Sequence, residues 1–151
     1  MGLDYSLKLS TDMQPVQVLR LLAERLGLKW WDDSHLGGPA IWIGAIGVSD
    51  SGRLSIEEGF HFSPDVSVLF RLDSNSDEYE DGNRVMLRAT LLLLEHDRDG
   101  VLLFNGERII LQRIAGQLVL NADYGNWTDG LRLEDEIRFP HEKRSLPSPW
   151  L

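Results

Sequence analysis

The chain has 151 residues and a net charge of −9, from 24 acidic against 15 basic side chains. This length suits one ordinary domain, so we expect a single domain over residues 1–151, and the negative charge disfavours nucleic acid or an anionic membrane surface while favouring a basic protein partner. The chain contains no cysteine, which excludes disulfides, thiolate nucleophiles and sulfur-ligated metals. It shows neither a secretory pattern nor the roughly 18 consecutive apolar residues of a membrane span, so we expect a cytoplasmic protein.

The first third of the chain predicts a strand, a helix and a second strand. Apolar residues alternate with polar ones over residues 3–9, as in a half-buried strand. Apolar residues then recur at helical spacing, with Thr11 or Asp12 as the N-cap and Gly27 as the stop. Glycine and proline at 37–39 interrupt regular structure, and the apolar run at 40–48 predicts a strand buried on both faces.

The middle third predicts two more strands and a second helix. Residues 60–62 and 66–72 alternate aromatic or apolar side chains with polar ones, and Pro64 lies between the two runs. His61 would then be a solvent-facing strand residue. After an acidic stretch, residues 85–95 are rich in leucine, which predicts a largely buried helix.

The last third predicts a meander of three strands. Asn105-Gly106 lies between two apolar runs, which is the strongest short signal for a hairpin, and Ala115-Gly116 separates a third run. The tail from Ala122 onward is aromatic and charged, and we expect it to wrap the body more than extend the sheet. The elements together predict an α+β fold, with a mostly antiparallel sheet, two helices packed on one face and a C-terminal β-meander.

No enzyme or cofactor signature is present in the sequence. The nearest approach to a nucleophile elbow, around Ser49, lacks its last glycine, and no phosphate or dinucleotide loop occurs. No local metal motif joins the four histidines, which are His35, His61, His96 and His141. We therefore assign no catalytic, cofactor or metal residue. The alternative is a small hydrolase or small-ligand-binding domain that uses His61 and carboxylates such as Glu57 in a cleft.

The most unusual stretch is DSNSDEYEDGNR at residues 73–84, which packs five carboxylates together before its first positive charge. A calcium loop of the EF-hand type needs glycine at position 6 and a bidentate carboxylate at position 12. Those positions hold Glu78 and Arg84, which argues against calcium. The stretch is then either a solvated connection or a patch that steers a basic partner. The candidate partner-binding residues are Asp73, Asp77, Glu78, Tyr79, Glu80 and Asp81.

Two further stretches carry a family resemblance. LDYSLKLST at residues 3–11 and LLFNGERIILQRIAGQLVLN at 102–121, with Trp127 beyond, resemble the Sit-type immunity proteins. These small bacterial proteins are encoded beside contact-dependent toxins that kin cells exchange. The resemblance implies a cytoplasmic, non-enzymatic protein that neutralises a cognate toxin by binding it. It does not reach the acidic stretch, so it implies a fold and a function but no site.

Overall fold

The computed structural model of the chain describes residues 2–95 and 98–150 and contains one large sheet and three α-helices within them. His96, which we expect at the end of the second predicted helix, lies outside the described residues. The strands are β1 Gly2–Leu9, β2 Lys29–Asp32, β3 His35–Gly38, β4 Ile41–Gly47, β5 Val66–Asp73, β6 Gly100–Phe104, β7 Arg108–Ile114, β8 Gln117–Asn121 and β9 His141–Arg144. The helices are α1 Pro15–Leu26, α2 Asp50–Phe60 and α3 Tyr79–Leu93, and a short 3-10 helix spans Leu133–Glu136.

The sheet has nine strands in the order β2-β3-β4-β5-β1-β6-β7-β8-β9. The first strand of the chain therefore lies inside the sheet, antiparallel to both β5 and β6. Only the β8–β9 pair is parallel among the described strands. The predicted α+β class with a mostly antiparallel sheet is confirmed, and so is the meander of β6, β7 and β8.

Helices α1 and α3 cover one face of the sheet, which we call the inner face. This confirms the predicted pair of helices on one face. Helix α1 begins after Gln14 rather than after Thr11 or Asp12, and it ends at Gly27, whose φ is +66°. The inner core includes these fully or almost fully buried side chains: Leu7, Leu9, Val18, Leu19, Leu22, Ile43, Val68, Phe70, Leu72, Met86 and Leu93.

The prediction of a strand at residues 60–62 is wrong, because helix α2 extends to Phe60. Ser49 caps this helix by accepting a hydrogen bond from the Gly52 amide at 3.1 Å, and His61 ends it in the left-handed conformation with φ of +64°. Ile56 and Phe60, four residues apart, bury the same side of the helix. They pack on the opposite, outer face of the sheet in a second apolar cluster with Phe62, Val101, Leu103 and Ile109.

The segment after α1 also differs from its prediction. It was expected to lack regular structure, but β2 and β3 form a short hairpin there. Asp32 closes the turn by accepting hydrogen bonds from the Ser34 amide at 2.8 Å and from Nδ1 of His35 at 2.9 Å. The Ser34 amide, and after it His35, lower the pKa of the Asp32 carboxyl. The next strand confirms the prediction at 40–48, except that its outer side is exposed and not buried.

The tail does more than wrap the body. Its last strand, β9, pairs with β8, while Trp127 is buried and donates from Nε1 to the carbonyl of Asn121 at 2.8 Å. The hairpin turn at Asn105-Gly106 has positive φ at both residues, +53° and +73°, as the sequence predicts.

Candidate protein-binding surface

The acidic segment, residues 73–81, joins the end of β5 to the first turn of α3. The Asp73 carboxylate accepts a hydrogen bond from the Asn75 amide at 3.0 Å, and the Ser76 hydroxyl accepts one from the Glu78 amide at 3.1 Å. Helix α3 then begins at Tyr79, six residues before the predicted start at 85. Carboxylates in a first turn face the positive end of the helix dipole, which stabilises the helix. The segment is therefore a shaped turn and helix start.

The carboxylates of the acidic segment are all exposed. Glu80 pairs with Arg84 at 2.8 Å, and Arg84 also approaches Glu136 at 3.4 Å. Asp77, Glu78 and Asp81 make no salt bridge within the part of the chain that the structure describes. Three uncompensated negative charges thus stand on one short stretch of surface.

Tyr79 is placed differently from these carboxylates. It is half-buried and packs against the inner core near Tyr5 and Tyr124. Burial, and after it the neighbouring Tyr124 and Tyr79, raise the pKa of Tyr5 far above its ordinary value. The Tyr79 ring consequently supports the segment from below, and the surface presented to solvent consists of carboxylates.

The exposed aromatic surface lies on the outer face of β2 to β5. Trp31 and Trp42 stack with ring centroids 4.4 Å apart and an interplanar angle of 21°. Trp42 pairs with Arg71, and Gly44 pairs with Leu69, so these side chains share that face. The exposure of Trp42 corrects the prediction that the strand at 40–48 is buried on both faces. The signal for Trp42 is its alternation with the buried Ile41 and Ile43.

Three further aromatic side chains lie away from this surface. Tyr124 and Trp127 are buried and meet edge to face at 5.3 Å. Trp30 is exposed but belongs to the inner side, since it pairs with Leu36, which in turn pairs with Ile43.

A shallow depression joins the acidic segment to the aromatic surface. Its volume is about 390 Å³, and its lining includes Gly2, Trp42, Arg71 and Asp73. Asp73 alternates with Arg71 and Leu69 along β5, which puts all three side chains on the outer face. The acidic segment and the aromatic surface are thus continuous through Asp73.

The residues of the hydrolase alternative do not form a comparable site. His61 borders a depression whose other polar side chains are Gln112, Gln117 and Arg144. Glu57 accepts a hydrogen bond from the Ser63 hydroxyl at 3.0 Å and is not part of that lining. Among the residues that the structure describes, no group of three or more histidine or carboxylate side chains could hold a metal ion.

The fold and these surfaces define a small acidic α+β protein that presents exposed charge and aromatic area. The chain belongs to the SitI3-like family, whose model matches residues 3–131. This match confirms the resemblance to the Sit-type immunity proteins, and it leaves β9 outside the matched region. No curated protein and no solved structure shows significant similarity to the chain. None of the helices in the described ranges has the length and apolar character needed to cross a bilayer.

Proposed function

We propose that the protein is an immunity protein that neutralises a cognate toxin by stoichiometric binding and has no catalytic role of its own. The observation that carries this proposal is membership of the SitI3-like family over residues 3–131. We propose the cytoplasm as the place of encounter and the acidic segment as part of the contact. The proposed contact residues are Asp73, Asp77, Glu78, Glu80 and Asp81, with Tyr79 supporting them.

The charge distribution supports a basic toxin as the partner. A toxin acts repeatedly, so an inhibitor must capture it quickly as well as hold it. Complementary charge raises association rate constants by about one to three orders of magnitude at low ionic strength. The net charge of −9 supplies such a field, together with Asp77, Glu78 and Asp81, which have no salt-bridge partner among the described residues.

The local structure supports rapid capture in a second way. Glu80 and Asp81 lie in the first turn of a formed helix, and the Asp73 and Ser76 side chains hold the preceding turn. A surface already ordered before binding loses less conformational entropy when the partner docks.

The first experiment is co-expression with the toxin encoded in the adjacent gene, followed by gel filtration of the two proteins. We expect protected cells and a complex with one copy of each chain. Growth arrest together with separate elution of the two proteins would refute the proposed function.

A charge-reversal series tests the acidic segment itself. The variant carries Asp77→Lys, Glu78→Lys and Glu80→Lys. Its matched control carries Asp50→Lys, Glu58→Lys and Glu142→Lys, which reverses three exposed carboxylates elsewhere and gives the same net charge. We expect kon for the segment variant to fall at least about tenfold below that of the control at low salt, and the difference to shrink at high salt. Equal kon values for the two variants would remove the segment from the interface.

A further inference from the structure

The outer face of the sheet is covered in one half and bare in the other. Helix α2 covers β6 and β7, where Val101, Leu103 and Ile109 are at most 3% exposed. Large apolar side chains remain in solvent over β2, β4 and β5, and we call them the outer tryptophan patch. It consists of Trp31, Trp42, Ile46 and Leu69, which are 61%, 46%, 55% and 40% exposed.

These exposures are unusual for one continuous area. Single exposed apolar residues are common on soluble proteins, whereas the largest contiguous apolar patch of a monomer, about 300–600 Å², is often functional. Four strands at about 4.8 Å spacing and about five residues at 3.3 Å each give a face of about 20 Å by 17 Å. Trp31 and Trp42 stack on this face, and tryptophan is among the residues most enriched at the energetic hot spots of protein interfaces.

The area of the bare face indicates how it would be used. The face measures about 350 Å² in projection, whereas a standard protein interface buries about 800 Å² on each partner. The acidic segment extends the same surface through Asp73, and the depression between Trp42 and Asp73 links the two parts. A partner that covers both parts would bury more surface than the bare face alone offers.

We propose that the outer tryptophan patch is the anchor of the toxin interface and that the acidic segment is its rim. This inference rests on the proposed function and specifies its contact surface. The partner is a toxin domain with a flat apolar contact element, flanked by basic side chains on the edge that meets the acidic segment. The tryptophan patch sets the lifetime of the complex, while the carboxylates set the rate at which it forms.

Two tryptophan variants separate these roles. The test variant is Trp31→Ala with Trp42→Ala, and the matched control is Trp30→Ala, which changes a 42% exposed tryptophan of the same strand on the inner side. The probe is the toxin domain from the adjacent gene, inactivated by substitution in its active site. We expect koff of the double variant to rise at least about 100-fold with kon within about threefold of wild type. The Trp30 control should leave both constants unchanged.

Folding controls and a third variant accompany these measurements. Circular dichroism and the midpoint of urea unfolding check that the variants are folded. If the double variant does not fold, Ile46→Arg provides a single substitution in the patch. Ile46→Arg should also raise koff, because it places a charge within the proposed apolar contact, where the partner offers no group to pair with it.

Three outcomes overturn the inference. Wild-type protein that binds the toxin while all patch variants keep the wild-type koff would refute the anchor and leave the proposed function intact. Wild-type protein that does not bind the toxin would refute the function itself. Light scattering that shows a wild-type dimer, lost in the double variant, would assign the patch to a second copy of the chain.

Discussion

Asn121 is a buried polar side chain whose loss we expect to destabilise the fold. It is 2% exposed and lies at the end of β8. Its Nδ2 group donates to the carbonyls of Ile109 at 2.7 Å and Leu146 at 3.1 Å. Its Oδ1 atom accepts from the amides of Asp123 at 3.0 Å and Leu146 at 3.1 Å. One amide group thus joins β7, the turn after β8 and the C-terminal tail.

The Ile109 carbonyl explains why this amide is needed. The pairing of β6 with β7 shifts between Leu102 and Leu103, so that Leu103 faces Ile109 while Leu102 faces Leu111. Such a bulge interrupts the regular ladder of hydrogen bonds between two strands. In Asn121→Ala the buried carbonyl would lose its donor, which costs about 1–3 kcal/mol, and three further bonds worth about 1 kcal/mol each would go with it. Partial relaxation and water entry into the tail reduce the sum, and we expect a net loss of about 3 kcal/mol.

Equilibrium unfolding in urea, followed by circular dichroism, measures this loss. A destabilisation of about 3 kcal/mol corresponds to a fall in Tm of about 6–12 °C for a chain of this length. The matched control is Asn75→Ala, an exposed asparagine whose side-chain amide makes no hydrogen bond within the described residues, and it should change stability by less than about 0.5 kcal/mol. A loss below about 1 kcal/mol in Asn121→Ala would refute the reasoning.

Two other changes test the structure at separate places. A β-carbon at Gly82 would lie 2.7 Å from the Pro39 carbonyl oxygen, so in urea unfolding Gly82→Ala should destabilise the protein by about 1–2 kcal/mol, although alanine has the better helix propensity. The control Gly125→Ala has open space around it and should be nearly neutral. A stabilised Gly82→Ala protein would contradict the packing of α3 on the loop that contains Pro39. The hydrogen bond to Glu134 at 2.9 Å raises the pKa of His141, so this bond stabilises the fold fully below about pH 6.5 and the stabilisation is lost as pH rises through the raised pKa. Proton NMR titration should show a His141 pKa above 6.5, and His141→Gln should flatten the change in stability between pH 6 and pH 8; an unshifted titration would contradict the pairing.

The sequence predicts the elements whose side chains follow one clean period. Apolar and polar side chains alternate along strand β1, which lies between β5 and β6 and packs its apolar face against the helices. Asn105 and Gly106 specify a turn that needs positive φ, which these two residues adopt easily. Local preference and tertiary packing agree at these places.

Helix α2 was missed because its local signals conflict. Gly52 and Gly59 are poor helix formers, and the alternation of Phe60 with Phe62 imitates a strand. The opposing signals are the Ser49 cap and the spacing of Ile56 from Phe60. These became decisive only because the outer side of β6 and β7 provided an apolar surface for the helix to bury.

The acidic segment was partly predictable. Clustered carboxylates in a first helical turn are themselves a signal for a helix start, and here that signal coincides with the observed start of α3 at Tyr79. The exposure of Trp42 was harder to predict. A continuous apolar run is typical of a strand buried on both faces, but no helix in the described ranges covers the outer side of β4, so Trp42 remains in solvent.

The position of β1 inside the sheet has a consequence for biosynthesis. Its two partners end at Asp73 and Phe104, so the ribosome must make most of the chain before β1 is paired on both sides. Translation at about 5–20 residues per second separates β1 from β6 by roughly 5–20 s. Until then the edge of β1 that pairs with β6 has no partner strand, and its free backbone N–H and C=O groups are open to chaperones and to aggregation.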